Sequence, residues 1–233
     1  MRKTIVSIAF GWLVLAPVCG SAAEVTTKTA HCKEGEARYV LFAPAQPEAM
    51  PAILLLHGAG DRPEPMVEAW KKLAKKEKFV LIAPELPRDP KFEDVAPKIF
   101  RCVVEDAKQI VKLEAQRVYL FGNSMGGYLA YDGAMLESNY FAAAAIHAMR
   151  IAEEYTWIVS RAERKTPVAI YIGDRDQFIP LEGVRKTRDL LLKEKFSVHY
   201  VELKNHDHNY YALADQINGD AWKFLKEVQL PAH

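Results

Sequence analysis

Four stretches of this sequence are too apolar to form a sheet with a wet face. They are "PAILLLHGAG" (51–60), "FVLIAPEL" (79–86), "RVYLFGNSMGG" (117–127) and "PVAIYIGDRD" (167–176). A half-exposed strand alternates apolar and polar residues, whereas a run that is apolar at successive positions belongs in a strand covered on both faces. Helical spacing fills the gaps between these runs. Met66, Trp70, Leu73 and Ala74 fall on one stripe within 65–77, and Ile99, Val103, Ala107 and Ile110 on another. Residues 183–195 read as a further helix, and Ile217, Ala221, Leu225 and Val228 mark the last one. Buried strands alternating with helices imply an α/β domain with a mostly parallel sheet between two helical layers.

Further strands are expected at "RYVLFAP" (38–44), "YFAAAAIHA" (140–148) and "SVHYVEL" (197–203). Residues 24–37 read as polar and irregular, 87–97 as a loop rich in proline and charge, and 151–162 as a short helix or loop. There is no internal repeat. The longest candidate insertions, 87–97 and 149–166, leave little room for a large lid.

A chain of 233 residues, half of them hydrophobic, can bury one full-sized core. A net charge of +1 is not the electrostatic footprint of a nucleic-acid binder. The lysine run "KKLAKKEK" (71–78) reads as the solvated side of a helix. The N-terminus stands apart. "MRKT", the uncharged apolar stretch "IVSIAFGWLVLAPV" and the small residues "CGSAA" have the form of a secretory signal peptide cleaved after Ala23. The apolar part is too short for a stable membrane span, and Val18 is bulky for a lipoprotein site at Cys19. The expected division is therefore a leader over 1–23 and a single domain over 24–233, secreted or periplasmic and without stable membrane insertion. Removing Arg2 and Lys3 would reduce 31 basic residues to 29, against 30 acidic ones. It would also leave Cys32 and Cys102, which an oxidising compartment could join; their spacing does not decide between a disulfide and two buried thiols.

"GNSMG" (122–126) has the Gly-x-Ser-x-Gly form and sits between a buried strand and a helix. In that setting Ser124 stands on a sharp turn at a helix N-terminus, where free N–H groups favour developing negative charge. A serine hydroxyl needs a base, and the base needs an orienting acid. For this elbow the chain order is serine, acid, histidine. "GDRDQFIP" (173–180) offers Asp174 and Asp176. Asp176 is preferred, because an acid directly at the strand end serves better to fix the loop. Met125, after the nucleophile, supplies one oxyanion donor, and "HGAG" (57–60) supplies the other from Gly58 or Ala59. His57 precedes the serine and reads as a loop-structuring residue.

"NHDHNYY" (205–211) contains both candidate bases, His206 and His208. Local sequence barely separates them. Two histidines around Asp207, with Asp174 or Asp176, could also hold a divalent ion, but that reading leaves the elbow at Ser124 unexplained. Tyr210 and Tyr211 are candidates for packing, with one of them available to line a pocket.

Taken together, "LLLHGAG", "GNSMGG", "GDRDQFIP" and "NHDHNYY" resemble the alpha/beta-hydrolase superfamily, and within it compact secreted esterases related to polyhydroxybutyrate depolymerases and feruloyl esterases. The resemblance implies an alpha/beta-hydrolase fold and a serine carboxylesterase. It implies an acyl-enzyme on Ser124, no metal or organic cofactor, and a small or polymer-derived ester as substrate. The last loop is similar to the Asp-His-x-Tyr-Tyr segment of S-formylglutathione hydrolases, and this favours His208 over His206 as base. The paired cysteines around the catalytic loops of some depolymerases are missing, which weakens a polymer assignment. A peptidase or amidase with the same triad, and an inactive binding protein on the same scaffold, are the competing expectations.

Overall fold

The computed structural model describes residues 24–87 and 89–232. The expected leader lies outside the described residues. Eight strands form one sheet: β1 (Glu24–Cys32), β2 (Gly35–Ala43), β3 (Met50–Leu56), β4 (Val80–Pro84), β5 (Leu113–Asn123), β6 (Ala144–His147), β7 (Val168–Gly173) and β8 (Val198–Leu203). Their order across the sheet is β1-β2-β4-β3-β5-β6-β7-β8. The six strands from β4 to β8 run parallel, and β2 lies antiparallel to both β1 and β4.

The apolar runs feed both faces at once, as the period of two requires. Leu54 and Leu56 of β3 point into one core, Ile53 and Leu55 into the other. In β5 the same split separates Val118 and Leu120 from Tyr119 and Phe121. Helices α1 (Pro63–Glu77) and α5 (Ala214–Leu225) cover one face, through Trp70, Ala74, Ile217 and Trp222. Helices α2 (Pro90–Lys108), α3 (Met125–Leu136) and α4 (Leu181–Lys193) cover the other, through Phe100, Val103, Leu129, Ala134 and Leu191. A 3-10 segment over Glu153–Arg161 follows β6, and among the described residues no large lid is inserted between the strands. Among the described residues no helix is long and apolar enough to cross a membrane.

Three local expectations change. Residues 24–37 are not irregular. They supply β1 and the start of β2, paired in register from Glu24↔Ala43 to Cys32↔Gly35 around the two-residue turn Lys33-Glu34. As the sheet's edge, β1 is mostly solvent-facing, so its threonines and lysine give no apolar signal. The proline-rich stretch 87–97 is largely helical, because α2 begins at Pro90 and runs through Pro97. Ala96 and Phe100 are fully buried there, and that packing outweighs the amide Pro97 cannot donate. Ile110 and Val228 lie beyond the ends of their helices, and Ile110 is half exposed.

Cys32 and Cys102 form a disulfide, with Cα atoms 5.8 Å apart. It ties the exposed end of β1 to α2. Replacing both cysteines by serine should lower the free energy of unfolding by about 2–4 kcal/mol. Urea titration with and without a thiol reductant measures it, and the reductant should affect only the wild type.

Candidate active site

Strands β3 and β5 are neighbours, yet the chain leaves them in opposite directions, toward β4 from one and β6 from the other. Such a reversal opens a crevice at the carboxyl ends of a parallel sheet. The loop after β3 and the Ser124 elbow meet there.

Ser124 is the junction between β5 and α3, with φ 55° and ψ −116°. Few non-glycine residues adopt this backbone, at a cost of about 1–3 kcal/mol. Close packing enforces it. A methyl group at Gly122 would lie 2.0 Å from Gly126 O, and one at Gly126 would lie 2.0 Å from Leu56 O. Only hydrogens fit between the elbow, the helix and β3. Hydrogen bonds fix the turn as well. Ser124 N–H donates to His147 O at 2.9 Å, and Ser124 O accepts from Gly127 N–H at 2.8 Å.

His208 and Asp176 reach the serine from the ends of β8 and β7. His208 Nε2 lies 2.9 Å from Ser124 Oγ, and His208 Nδ1 lies 2.7 Å from Asp176 Oδ2. With the Nδ1 proton donated to the carboxylate, Nε2 is left to accept from the serine hydroxyl. The Asp176 side chain is fully buried, and its Oδ1 accepts from the N–H groups of Phe178 and Ile179 at 2.9 and 2.8 Å. These bonds hold the carboxylate still and offset the cost of burying it. Asn205, with φ 56°, turns the chain back over the sheet before the histidine loop. Phe178, three-quarters exposed, packs edge-on against His208 with ring centroids 5.0 Å apart.

The alternatives from the sequence fall elsewhere. Asp174 is exposed at the strand end, where its N–H donates to Leu203 O. His206 is buried beside His147, with ring centroids 5.6 Å apart, and its Nε2 has no hydrogen-bond partner among the described residues. Its carbonyl accepts from Arg175 N–H. His206 therefore braces the loop beneath His208. Among the described residues no three histidine, cysteine, aspartate or glutamate side chains are grouped to hold a metal. Of the two candidate pocket tyrosines, Tyr210 belongs to the core. It is buried against Phe121, and its hydroxyl donates to Asn218 Oδ1 at 2.6 Å. Tyr211 is half exposed, and its hydroxyl donates to Asp61.

Two of the three expected oxyanion residues, Gly58 and Met125, border the serine. A Cβ at Gly58 would lie 3.7 Å from Ser124 Cβ, and Met125 opens α3 with an N–H free of intrahelical bonding. His57 Nδ1 donates to Gly58 O at 2.9 Å, while its Nε2 accepts from Leu86 N–H at 3.2 Å. Both ring nitrogens serve the loop. A cavity of about 370 Å³ adjoins Met125, walled by Tyr128, Leu129, Met149, Tyr155 and Trp157. None of its aromatic residues stood out in the sequence, because helix α3 and the 3-10 segment bring them together only in the fold.

Residues 38–223 match the dienelactone hydrolase family. The chain belongs to that family. Dienelactone hydrolase family membership accords with the mostly parallel eight-stranded sheet. A comparison with curated proteins finds no match. Among solved structures the chain is similar to a thermostable esterase, with 20% identity, TM-score 0.71, and coverage of 88% of this chain and 63% of that one. It is also similar to an S-formylglutathione hydrolase from Staphylococcus aureus, with 16% identity, TM-score 0.71, and coverage of 88% and 98%. A ferulic acid esterase from Anaeromyces mucronatus, solved with ferulic acid, gives 14% identity, TM-score 0.67, and coverage of 84% and 89%. At these identities the likeness is one of fold. The chain spans under two thirds of the thermostable esterase.

His147 supports the elbow from below. It is fully buried, and its Nδ1 lies 2.8 Å from Asn123 Oδ1. Burial, and then the neighbouring His206 and His208, hold its pKa down at about 3. The unfolded chain, with an ordinary histidine near 6.5, binds the extra proton between those values. Stability is thus complete above about pH 6.5 and falls, by up to about 1.4 kcal/mol per pH unit, as pH drops toward 3. A His147→Gln variant should show a flatter loss over this window in urea midpoints measured from pH 7 to pH 4. An unchanged slope would assign the acid sensitivity to other groups.

Proposed function

We propose that the chain is a serine carboxylesterase that forms an acyl-enzyme on Ser124. The observation that carries this reading is the unbroken hydrogen-bonded chain from Ser124 through His208 to Asp176, mounted on a strained elbow. His208 Nε2 takes the hydroxyl proton as Ser124 Oγ bonds to the ester carbonyl carbon. The carbonyl π electrons move onto oxygen, where the N–H of Met125 and that of Gly58 or Ala59 receive the charge. Asp176 steadies the imidazolium. His208 then protonates the departing alkoxide oxygen as the C–O bond breaks. Water repeats the sequence on the acyl-enzyme, freeing the acid and restoring Ser124.

The cleft beside Met125 suits the apolar part of such an ester. Tyr128, Tyr155 and Trp157 are each more than a third exposed around it, and large apolar groups held this way favour contact with an apolar ligand. The proteins similar in fold include a thermostable esterase, an S-formylglutathione hydrolase and a ferulic acid esterase, which accords with this substrate class. The leader-like N-terminus and the Cys32–Cys102 disulfide together support a secreted or periplasmic location.

Ser124→Ala and His208→Ala should each lower kcat on p-nitrophenyl acetate by about ten-thousand-fold or more. His206→Ala, if folded, should stay within about tenfold of wild type, since its ring braces a loop. Retained turnover in Ser124→Ala would sink the assignment, and a larger loss at His206 than at His208 would reverse the choice of base. Amides with the same acyl groups should react far more slowly than the esters. A fluorophosphonate probe should label the wild type and not Ser124→Ala, which an inactive binding scaffold would not do.

A further inference from the structure

Tyr211 bridges two loops that lie 150 residues apart in sequence. One follows β8 and carries His208, three residues before Tyr211. The other follows β3 and carries Gly58 and Ala59, just before Asp61. The Tyr211 hydroxyl donates to Asp61 Oδ2. Burial, and then the Asp61 carboxylate, hold the Tyr211 pKa well above the usual phenol range, so the hydroxyl keeps its proton and remains a donor. A bond to a charged acceptor is among the stronger kinds.

Asp61 is tied in turn to the peptide group that matters. Its backbone N–H donates to Gly58 O at 3.2 Å, and His57 Nδ1 donates to the same oxygen at 2.9 Å. His57 is held by Leu86 N–H on its other nitrogen. Among the described residues no peptide bond is cis, so the Gly58 carbonyl and the Ala59 N–H point in opposite directions. Pinning the Gly58 oxygen therefore fixes where the Ala59 N–H points. Without a restraint, this segment would be an exposed loop, with Ala59 and Gly60 both at the surface and Gly60 at φ 79°.

We propose that Tyr211 is a positioning residue for the oxyanion hole. Through Asp61 it holds the Gly58–Ala59 peptide at a fixed distance from Ser124 and His208. This rests on the Ser124 esterase reading above. Tyr211 does not touch the reacting atoms. Its effect belongs to the transition state, because an oxyanion donor must stand 2.7–3.1 Å from an oxygen position reached only there, and losing such a donor costs about a hundredfold or more in kcat.

The test compares Tyr211→Phe, Asp61→Asn and Asp61→Ala with wild type and Ser124→Ala. The readouts are p-nitrophenyl acetate kinetics, the Ki of an aryl trifluoromethyl ketone that forms a tetrahedral oxyanion, and Tm. Tyr211→Phe should lower kcat by about tenfold or more and weaken ketone binding in proportion, with KM within about twofold and Tm within a few degrees of wild type. Asp61→Asn keeps an acceptor oxygen and should lose less than Asp61→Ala. A merely structural bond would lower Tm and leave kcat per folded molecule and ketone affinity alone. Folded Tyr211→Phe with both values within about twofold of wild type overturns the proposal, as does Asp61→Asn performing as poorly as Asp61→Ala. Wild-type turnover in Ser124→Ala overturns this proposal and the esterase reading together. An inactive Ser124→Ala beside an unaffected Tyr211→Phe overturns the Tyr211 role alone.

Discussion

Helix α3 begins where β3 and β5 end, and its first turn lies so close to them that Gly126 has Leu56 O and His57 O where a side chain would start. The approach does three things at once. It holds Ser124 in a strained backbone with positive φ. It places the N-terminus of a helix beneath the serine, so the Met125 N–H is uncommitted. It also brings the loop after β3 beside the elbow, with Gly58 next to Asn123 and Ser124. The strain of about 1–3 kcal/mol at one residue is affordable only because rigid strands on both sides over-determine the turn.

The remaining groups are placed by the same sheet. β7 and β8 lie further along its carboxyl edge, and their exit loops carry Asp176 and His208 across to the serine. Each member of the chain is braced from behind: the Asp176 carboxylate by two backbone N–H groups, the histidine loop by buried His206, and the elbow by His147. The supports at Asp176 and His206 lie in loops and bond through backbone atoms, while His147 ends β6 and holds the elbow through its carbonyl and its ring. The cleft at Tyr128, Tyr155 and Trp157 is built separately, from α3 and the 3-10 segment, and adjoins the elbow at Met125.

Much of this was legible in the sequence because buried parallel strands leave continuous apolar runs and because Gly122, Ser124 and Gly126 stand at a strand–helix junction. The preference for Asp176 over Asp174 rested on reach beyond the strand end, and the two residues do lie in different surroundings. What was hidden has physical reasons. β1 is an edge strand whose exposed face gives no apolar pattern. The start of α2 was masked by prolines that tertiary packing overrides. His206 and His208 share the same local chemistry, and only the fold separates them, with the first ring buried and the second meeting Ser124. Asp61 carried no signal, because its partner Tyr211 is distant along the chain and adjacent only in the fold.

The central claim is that Ser124 Oγ becomes covalently acylated and that this is the path of turnover. Rapid mixing with a slowly deacylated p-nitrophenyl ester, followed by acid quench and peptide mass spectrometry, tests it directly. Acylation of Ser124 predicts a burst of p-nitrophenol equal to the enzyme concentration, with the acyl mass on the peptide containing Ser124, appearing during the burst and decaying at the steady-state rate. A linear release with no burst and no adduct on that peptide, or an adduct on another residue that decays at the steady-state rate, would contradict it.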